Sequence, residues 1–154
     1  MSNIFIKTAK KITLVEIHEI EKKLKITLPD VFKDFYLNNN GGVPQKNFYI
    51  PPGGEWDAFD IQEYNPLKYP LYKKGGTIED DYNLYINEKK LLPSYLIPFA
   101  QNNTGDPYCV NMISDEIYFF SIDDYLNLDE ALIFMSPNIK IFSKNLITEV
   151  EAYG

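Results

Sequence analysis

The sequence of 154 residues lacks several features that define common classes of protein. It contains no arginine, and its net charge is −7. Arginine is the residue that best recognises phosphates and base edges, so an acidic chain without it is a poor candidate for binding DNA or RNA. No run approaches the roughly 18 apolar residues that cross a bilayer, and the first residues have no signal-like apolar stretch. We therefore expect no nucleic-acid partner, no membrane association and a cytoplasmic location.

Cysteine and histidine occur once each, as Cys109 and His18. A single cysteine forms no intramolecular disulfide, which is typical of proteins in the reducing cytosol. One histidine and one cysteine also cannot build a conventional zinc site. His18 falls at the edge of an apolar helical stripe, where a surface residue is more common than a catalytic base. Cys109 falls in a predicted strand, which favours a buried side chain over a reactive thiolate.

Acidic residues and glycines are frequent, but neither forms a recognisable ligand-binding motif. Neighbouring acids point to opposite faces of a strand, and the acidic loop at 123–129 lacks the glycine and the spaced oxygens of a calcium loop. The glycine pairs at 41–42, 53–54 and 75–76 have no lysine at the spacing of a phosphate-binding loop, and turns explain them better. We predict no catalytic residues, no metal and no cofactor. An enzyme with an unrecognised site remains an alternative.

Charge is unevenly distributed along the chain. Residues 1–50 carry a balance of +3, whereas residues 51–154 carry −10 and have no lysine between Leu91 and Ile139. One interpretation is a solvated acidic face that aids solubility. The other is a negative surface that attracts a basic partner, because such fields raise association rates and select partners.

Local patterns predict an α+β fold. The capping box of Thr13 and Glu16 begins a helix over 14–24, and Pro29 begins a second helix that ends at 38–42. Short apolar runs at 48–50, 96–99, 108–112 and 116–120 predict strands, the last two joined by a tight turn. Two more helices are predicted, one capped by Thr77 and one begun by Ser136-Pro137 with Ile139, Phe142, Leu146 and Val150 on one face.

Aromatic residues make up 15% of the chain. Most are expected in the core, but Trp56 and Tyr64 fall in an irregular stretch rich in acids. Aromatic side chains beside acids are typical of interface anchors, although loop aromatics also fold back onto a core. An exposed cluster around Trp56 is also compatible with a homodimer.

Two blocks of the sequence resemble the signatures of the SUKH superfamily, which includes the Smi/Knr cell-wall regulators. The first block runs from Leu28-Pro29 through Phe35 to Asn40-Gly41-Gly42. The second runs from 97 to 101 (Ile-Pro-Phe-Ala-Gln) through Gly105-Asp106 to Asn111, which stands where the family usually has aspartate. The resemblance spans about residues 13–150, whereas 51–90 match nothing specific. We therefore expect a single SUKH-like domain over residues 1–154.

The resemblance implies an α+β fold with a mixed or antiparallel central sheet flanked by helices, and no general catalytic site. It implies a bacterial immunity protein that binds and neutralises a cognate toxin, often a nuclease, in the cytosol. A non-catalytic scaffold or regulatory module of the Smi/Knr type is the alternative. The motif residues are then expected to be structural: Leu28, Pro29, Phe35, Gly41, Gly42, Pro98, Phe99, Gly105 and Asp106. For contact with a basic toxin, the variable parts predict Trp56, Asp57, Asp60, Tyr64, Asp80, Asp81, Asp123 and Asp124.

Overall fold

Within residues 3–71 and 76–154, which the computed structural model describes, the chain forms six α-helices and nine β-strands. The helices are α1 (Leu14–Leu24), α2 (Asp30–Asn38), α3 (Ile78–Tyr82), α4 (Leu128–Ala131), α5 (Ile139–Lys144) and α6 (Glu149–Tyr153). The strands are β1 (Phe5–Ile6), β2 (Val43–Pro44), β3 (Phe48–Tyr49), β4 (Phe59–Asp60), β5 (Glu63–Tyr64), β6 (Leu96–Gln101), β7 (Pro107–Asn111), β8 (Ile117–Phe120) and β9 (Leu132–Ser136). A π-helical turn (Asn83–Glu88) follows α3, and a 3-10 turn (Ile122–Asp124) precedes α4. The turn expected at 75–76 lies partly outside the described residues.

The first two helices begin and end where local chemistry predicts. The side chains of Thr13 and Glu16 form the capping box of α1, and the left-handed Lys25 (φ 58°) ends that helix. Pro29 precedes α2 in extended conformation, which supplies the entry to the helix without needing a backbone donor. The buried faces of α1 and α2 carry Ile17, Ile20, Phe32 and Tyr36.

The Asn-Gly-Gly segment after α2 joins the helices to the sheet. The Asn40 side-chain amide donates from its Nδ2 to the Leu67 carbonyl at 3.0 Å, and its Oδ1 accepts from the Leu67 backbone amide at 2.8 Å. Gly41 has φ +73°, and a Cβ atom there would lie 2.7 Å from the Pro66 nitrogen and 2.8 Å from the Tyr64 oxygen. Gly42 exchanges two backbone hydrogen bonds with Tyr64. Only glycine allows this close approach at Gly41, which explains that part of the motif.

A five-stranded sheet with the order β5-β6-β7-β8-β9 forms the centre of the fold. All of its neighbouring strands are antiparallel, so of the two sheet types expected the antiparallel one is found. Pro98 lies where the register of β6 against β7 shifts, a position that tolerates the missing donor of proline. Phe99 is fully buried against Phe32 and Tyr64. The α+β class is thereby confirmed.

The turn between β6 and β7 depends on Asp106. Its carboxylate accepts hydrogen bonds from the Thr104 hydroxyl and the Ile122 backbone amide, at 3.1 and 3.2 Å. Gly105 adopts φ +91° in this turn. The second sequence block therefore ties the hairpin to the acidic segment that follows β8.

The closing helix is shorter than predicted, and the prediction of one helix through Val150 was wrong. Asn138, rather than Ser136, accepts the capping hydrogen bond, from the Ile141 amide. After Asn145 the chain leaves the helix because Ile147 exchanges two backbone hydrogen bonds with Phe48. Thr148 then caps the separate helix α6, so Val150 is 78% exposed instead of buried.

Candidate partner-binding surface

A cleft of about 570 Å³ lies beside β9 at the edge of the sheet. Three segments line it, and together they form what we call the acidic cleft: Pro52, Trp56, Asp124, Asp129, Glu130, Leu132, Ile133 and Phe134. The lining combines apolar side chains with three acids, Asp124, Asp129 and Glu130, which we call the rim acids. This combination of apolar and charged side chains is usual in a protein interface.

Aromatic contacts hold the two exposed rings of the acidic cleft in place. Trp56 is 47% exposed and packs edge to face on Phe59, with ring centroids 6.0 Å apart. Phe59 in turn packs on the buried Phe119 at 5.0 Å. Phe134 is 36% exposed and rests on Tyr118 at 5.8 Å. Both rings are therefore supported from below and open to solvent above, as interface anchors are.

Within the described part of the chain, the acids at the rim have no positive partner. No ion pair between described residues involves Asp124, Asp129 or Glu130, and Asp124 accepts a hydrogen bond only from the Ser121 hydroxyl, at 2.9 Å. The absence of lysine between Leu91 and Ile139 leaves these charges uncompensated along the chain. Tyr125 and Leu126, which connect Asp124 to α4, are 48% and 87% exposed. The rim is thus a negative surface with exposed apolar side chains beside it.

The residues expected to contact a partner lie in several different places. Trp56 and Asp124 line the acidic cleft, and Asp57 and Asp123 are exposed beside them in sequence. Asp60 lies in β4, where its carboxylate accepts a hydrogen bond from the Asn103 amide at 2.8 Å.

Tyr64 was wrongly expected to contact a partner. Its side chain is fully buried, and its hydroxyl lies 2.9 Å from the Ser143 Oγ in the interior. Phe5, Phe35 and Phe99 surround its ring. Tyr64 belongs to the core because β5 turns it away from solvent.

Asp80 and Asp81 lie on α3, which packs on β6, three strands away from β9. Asp80 is exposed, whereas Asp81 is half-buried and accepts a hydrogen bond from the Asn65 side chain at 2.7 Å. Burial raises the pKa of Asp81 to about 6, and the negative charges of Asp80 and Glu63 add to this effect. These two acids therefore form a surface separate from the acidic cleft.

A larger cleft of about 650 Å³ lies elsewhere, between the N-terminal residues, α2 and α5. Its three asparagines, Asn3, Asn38 and Asn39, all donate to backbone carbonyls of the protein itself. Lys140 in the same cleft pairs with Asp34, with the Nζ and Oδ2 atoms 3.8 Å apart. Since its polar groups largely have partners within the chain, this cleft is a weaker candidate than the acidic one.

His18 and Cys109 lie in different environments and do not form a site together. The Nε2 of His18 lies 4.0 Å from Glu21, and its side chain is 58% exposed. Cys109 is fully buried in β7, and burial raises the pKa of its thiol. Among the described residues, no group of three or more His, Cys, Asp or Glu side chains is arranged to hold a metal ion. No helix in residues 3–71 or 76–154 is long and apolar enough to cross a membrane.

Of the eight residues that line the acidic cleft, the sequence predicts a partner contact for only two, Trp56 and Asp124. In the sequence Pro52 only adjoins the glycine turn at 53–54, and the acids 129 and 130 are visible only as part of the negative charge of residues 51–154. The apolar run of β9, Leu132–Ser136, was not recognised as a strand. The signal was present, because Leu132 to Met135 is a short apolar run that ends at Ser136-Pro137, and such a run bounded by turn residues is consistent with a strand.

Comparison with known proteins gives one family. The model described as SMI1 / KNR4 family (SUKH-1) matches residues 11–144. A comparison with curated proteins finds no significant match. Domains of the SUKH type are generally non-catalytic immunity or binding modules. Because the match covers nearly the whole chain, this protein belongs to the SMI1/KNR4 family (SUKH-1).

Proposed function

We propose that this protein is an immunity protein, which binds a cognate toxin in the cytosol and neutralises it by protein–protein contact. The observation that carries the proposal is the acidic cleft, where supported aromatic rings lie beside three acids that have no cationic partner among the described residues. An immunity protein has to capture its toxin quickly. A field of one sign at the binding surface raises association rates by about 10- to 1,000-fold.

Electrostatics also specify the kind of toxin. Each of Asp124, Asp129 and Glu130 gains an attractive interaction when a lysine or arginine of the partner approaches. The exposed rings of Trp56 and Phe134 bury apolar area in the same contact. The partner is therefore a basic protein, and a nuclease fits because its own substrate demands a positive surface.

The test is capture of a partner from the native organism, with this protein as bait, at low and moderate salt. The captured protein is then expressed in a host cell, with or without this protein, and cell growth is measured. We expect one basic protein that is toxic alone and harmless in the presence of this one. A captured protein that is not toxic would contradict the proposal.

Two matched variants locate the contact. One removes the rim charges by Asp124→Asn, Asp129→Asn and Glu130→Gln. The other removes three exposed acids of α1, the π-helical turn and α6, by Glu19→Gln, Glu88→Gln and Glu149→Gln. We expect loss of protection with the first variant and full protection with the second, although both lose the same net charge. Equal behaviour of the two would place the contact outside the acidic cleft.

Membership of the family favours one further candidate, a scaffold or regulatory module. A scaffold would capture several cellular proteins, none of them toxic alone. Neighbouring genes also separate the two functions, because an immunity gene normally lies directly after the gene of its toxin.

A further inference from the structure

The edge strand β9 directs part of its backbone away from the sheet. Ser121 donates its amide hydrogen to the Ala131 carbonyl, which places residues 121 and 131 at a hydrogen-bonded position of the ladder, although the Ala131 amide itself bonds to Asn127. Hydrogen-bonded pairs alternate along an antiparallel ladder, and Ile133 opposite Phe119 is the next one. Leu132 and Phe134, between these pairs, therefore point their backbone groups toward the free edge.

Both ends of this edge are closed by the protein itself. The Leu132 amide donates to the carbonyl of Leu128, the first residue of α4, and the Met135 carbonyl accepts from the Tyr49 hydroxyl. Three groups remain between these ends: the Leu132 carbonyl, the Phe134 amide and the Phe134 carbonyl. None of the three has a hydrogen bond outside the strand ladder within the described part of the chain.

The acidic cleft runs along this edge. Side chains alternate between the two faces of a strand, so Leu132 and Phe134 point to one face and Ile133 to the other. All three residues nevertheless line the same cleft. A cleft in contact with both faces of one strand lies across its edge.

The negative charge of the rim determines what kind of chain binds along the β9 edge. A second copy of this chain would bring another net charge of −7 to the acidic rim, which opposes pairing of two β9 strands. An extended segment that carries lysine or arginine would instead be attracted by Asp124, Asp129 and Glu130. The rim thus selects a basic strand over a copy of this chain.

We infer that β9 accepts an extended, basic segment of the protein partner as an added strand. The Leu132 carbonyl and both Phe134 backbone groups pair with that segment, and its cationic side chains contact the acidic rim. The inference rests on the proposed function only in that the partner is a protein that binds at this cleft. It adds the geometry of the contact and the backbone groups that make it.

The probe is the seven-residue peptide acetyl-KVKVKVK-amide, with acetyl-EVEVEVE-amide as the control of opposite charge. Amide hydrogen exchange of this protein is followed residue by residue by NMR, with each peptide at millimolar concentration. We expect the lysine peptide to slow exchange at Phe134 by about tenfold or more and to leave Ile133, already paired with β8, unchanged. No change at Phe134 would contradict strand addition. Slower exchange at higher protein concentration without peptide would point to a second copy instead.

Two variants separate the backbone from the ring. Phe134→Ala removes the ring and keeps the amide hydrogen, whereas Phe134→Pro removes both. We expect the lysine peptide to bind Phe134→Pro about tenfold more weakly than Phe134→Ala. Equal binding would overturn the inference. If Phe134→Pro does not fold, the exchange measurement on the unaltered protein decides alone.

The inference and the proposed function fail in different ways. If the rim variant loses protection against the toxin while Phe134→Pro still protects as well as Phe134→Ala, the function stands and strand addition is wrong. If Phe134 is protected by a basic partner that is not a toxin, strand addition stands and the immunity function is wrong.

Discussion

At the scale of single residues, Gly41 shows how closely the chain passes the sheet after α2. Its conformation, φ +73°, costs any L-residue about 1–2 kcal/mol, and the Pro66 and Tyr64 backbones leave no room for a Cβ atom. Gly54 has nearly the same φ, +70°, but nothing lies within 4 Å of the place of its Cβ. Gly41 and Gly54 therefore separate the free-energy cost of the left-handed conformation from the cost of steric overlap.

We expect Gly41→Ala to lower the free energy of unfolding by about 3–5 kcal/mol, because strain and steric overlap add. Gly54→Ala should lower it by about 1–2 kcal/mol, from conformation alone. Urea unfolding measures both values. Equal losses in the free energy of unfolding would show that the backbone near Pro66 shifts easily to make room for the Cβ atom.

Tyr64 tests the distinction between core and surface. Tyr64→Phe removes the buried hydrogen bond to Ser143, and we expect a loss of about 1 kcal/mol in the free energy of unfolding. Partner capture should not change, because the ring stays in place. A double-mutant cycle with Ser143→Ala gives the coupling of the two hydroxyl groups. Weaker capture without a loss of stability would return Tyr64 to the interface.

Asp81 makes stability depend on pH. Its pKa is about 6 in the folded protein and 3.8 in an unperturbed chain, so between these pH values the folded state binds more protons than the unfolded state. Stability from this group is therefore present below about pH 4 and is lost as the pH rises to about 6. Asp81→Asn should be more stable than the wild type at pH 7, by roughly 1–3 kcal/mol, since the burial penalty is removed.

Thermal unfolding at pH 4, 5, 6 and 7 checks this prediction. The gain from Asp81→Asn should shrink as the pH falls and be smallest at pH 4. Asp57→Asn, at an exposed aspartate outside α3, is the control and should show little dependence. A gain that is constant from pH 4 to 7 would contradict the raised pKa.

At the scale of elements, two capping boxes of the same kind support very different helices. Thr13 and Glu16 cap α1, which buries Ile17 and Ile20, whereas Thr148 and Glu151 cap α6, which buries no residue. We expect Thr13→Ala to lower global stability by about 1 kcal/mol. Thr148→Ala should fray α6 with almost no effect on the global unfolding free energy, because α6 adds little to the core.

Denaturant unfolding and hydrogen exchange in α6 distinguish the two cases. Exchange of the α6 amides should become faster in Thr148→Ala while the unfolding midpoint stays the same. If the midpoint falls as far as in Thr13→Ala, α6 is more strongly coupled to the core than its exposure indicates.

The elements that could be predicted from the sequence are those with a local signal. Helices α1 and α2 have a cap and a proline at their starts, and β6, β7 and β8 are apolar runs separated by turn residues. Strands β1–β5 have two residues each, too few to show any periodicity. The end of α5 depends on hydrogen bonds between Ile147 and Phe48, which lie far apart in sequence.

The acidic cleft could not be predicted from the sequence for the same reason. Its residues come from three segments, at 52–56, at 124 and at 129–134, and only the fold brings them together. Composition could predict that acids and aromatics form a surface. It could not predict that Tyr64 is buried, because the partner of its hydroxyl is 79 residues away.

At the scale of the whole molecule, the net charge of −7 predicts how binding responds to salt. We expect the association rate with the captured partner to fall steeply as ionic strength rises, and the dissociation rate to change little. The variant without rim charges should show a much shallower dependence than the variant with Glu19, Glu88 and Glu149 replaced. Stopped-flow measurements at several salt concentrations give both rates. Parallel salt dependences would mean that the whole surface, rather than the rim, steers the encounter.

The limited length of the free edge of β9 also bears on aggregation. A sheet polymerises when each molecule offers one open edge to the next, over enough residues for the contact to persist. Here the opposite edge strand, β5, is already bridged by Gly42, and β9 leaves three backbone groups without a partner among the described residues. One short strand can be added to β9, but a fibril could not grow, because the next molecule would meet no open sheet edge of sufficient length. The closed ends of β9 restrict the choice of partner. For the same reason, the protein can accumulate before it meets that partner without forming filaments.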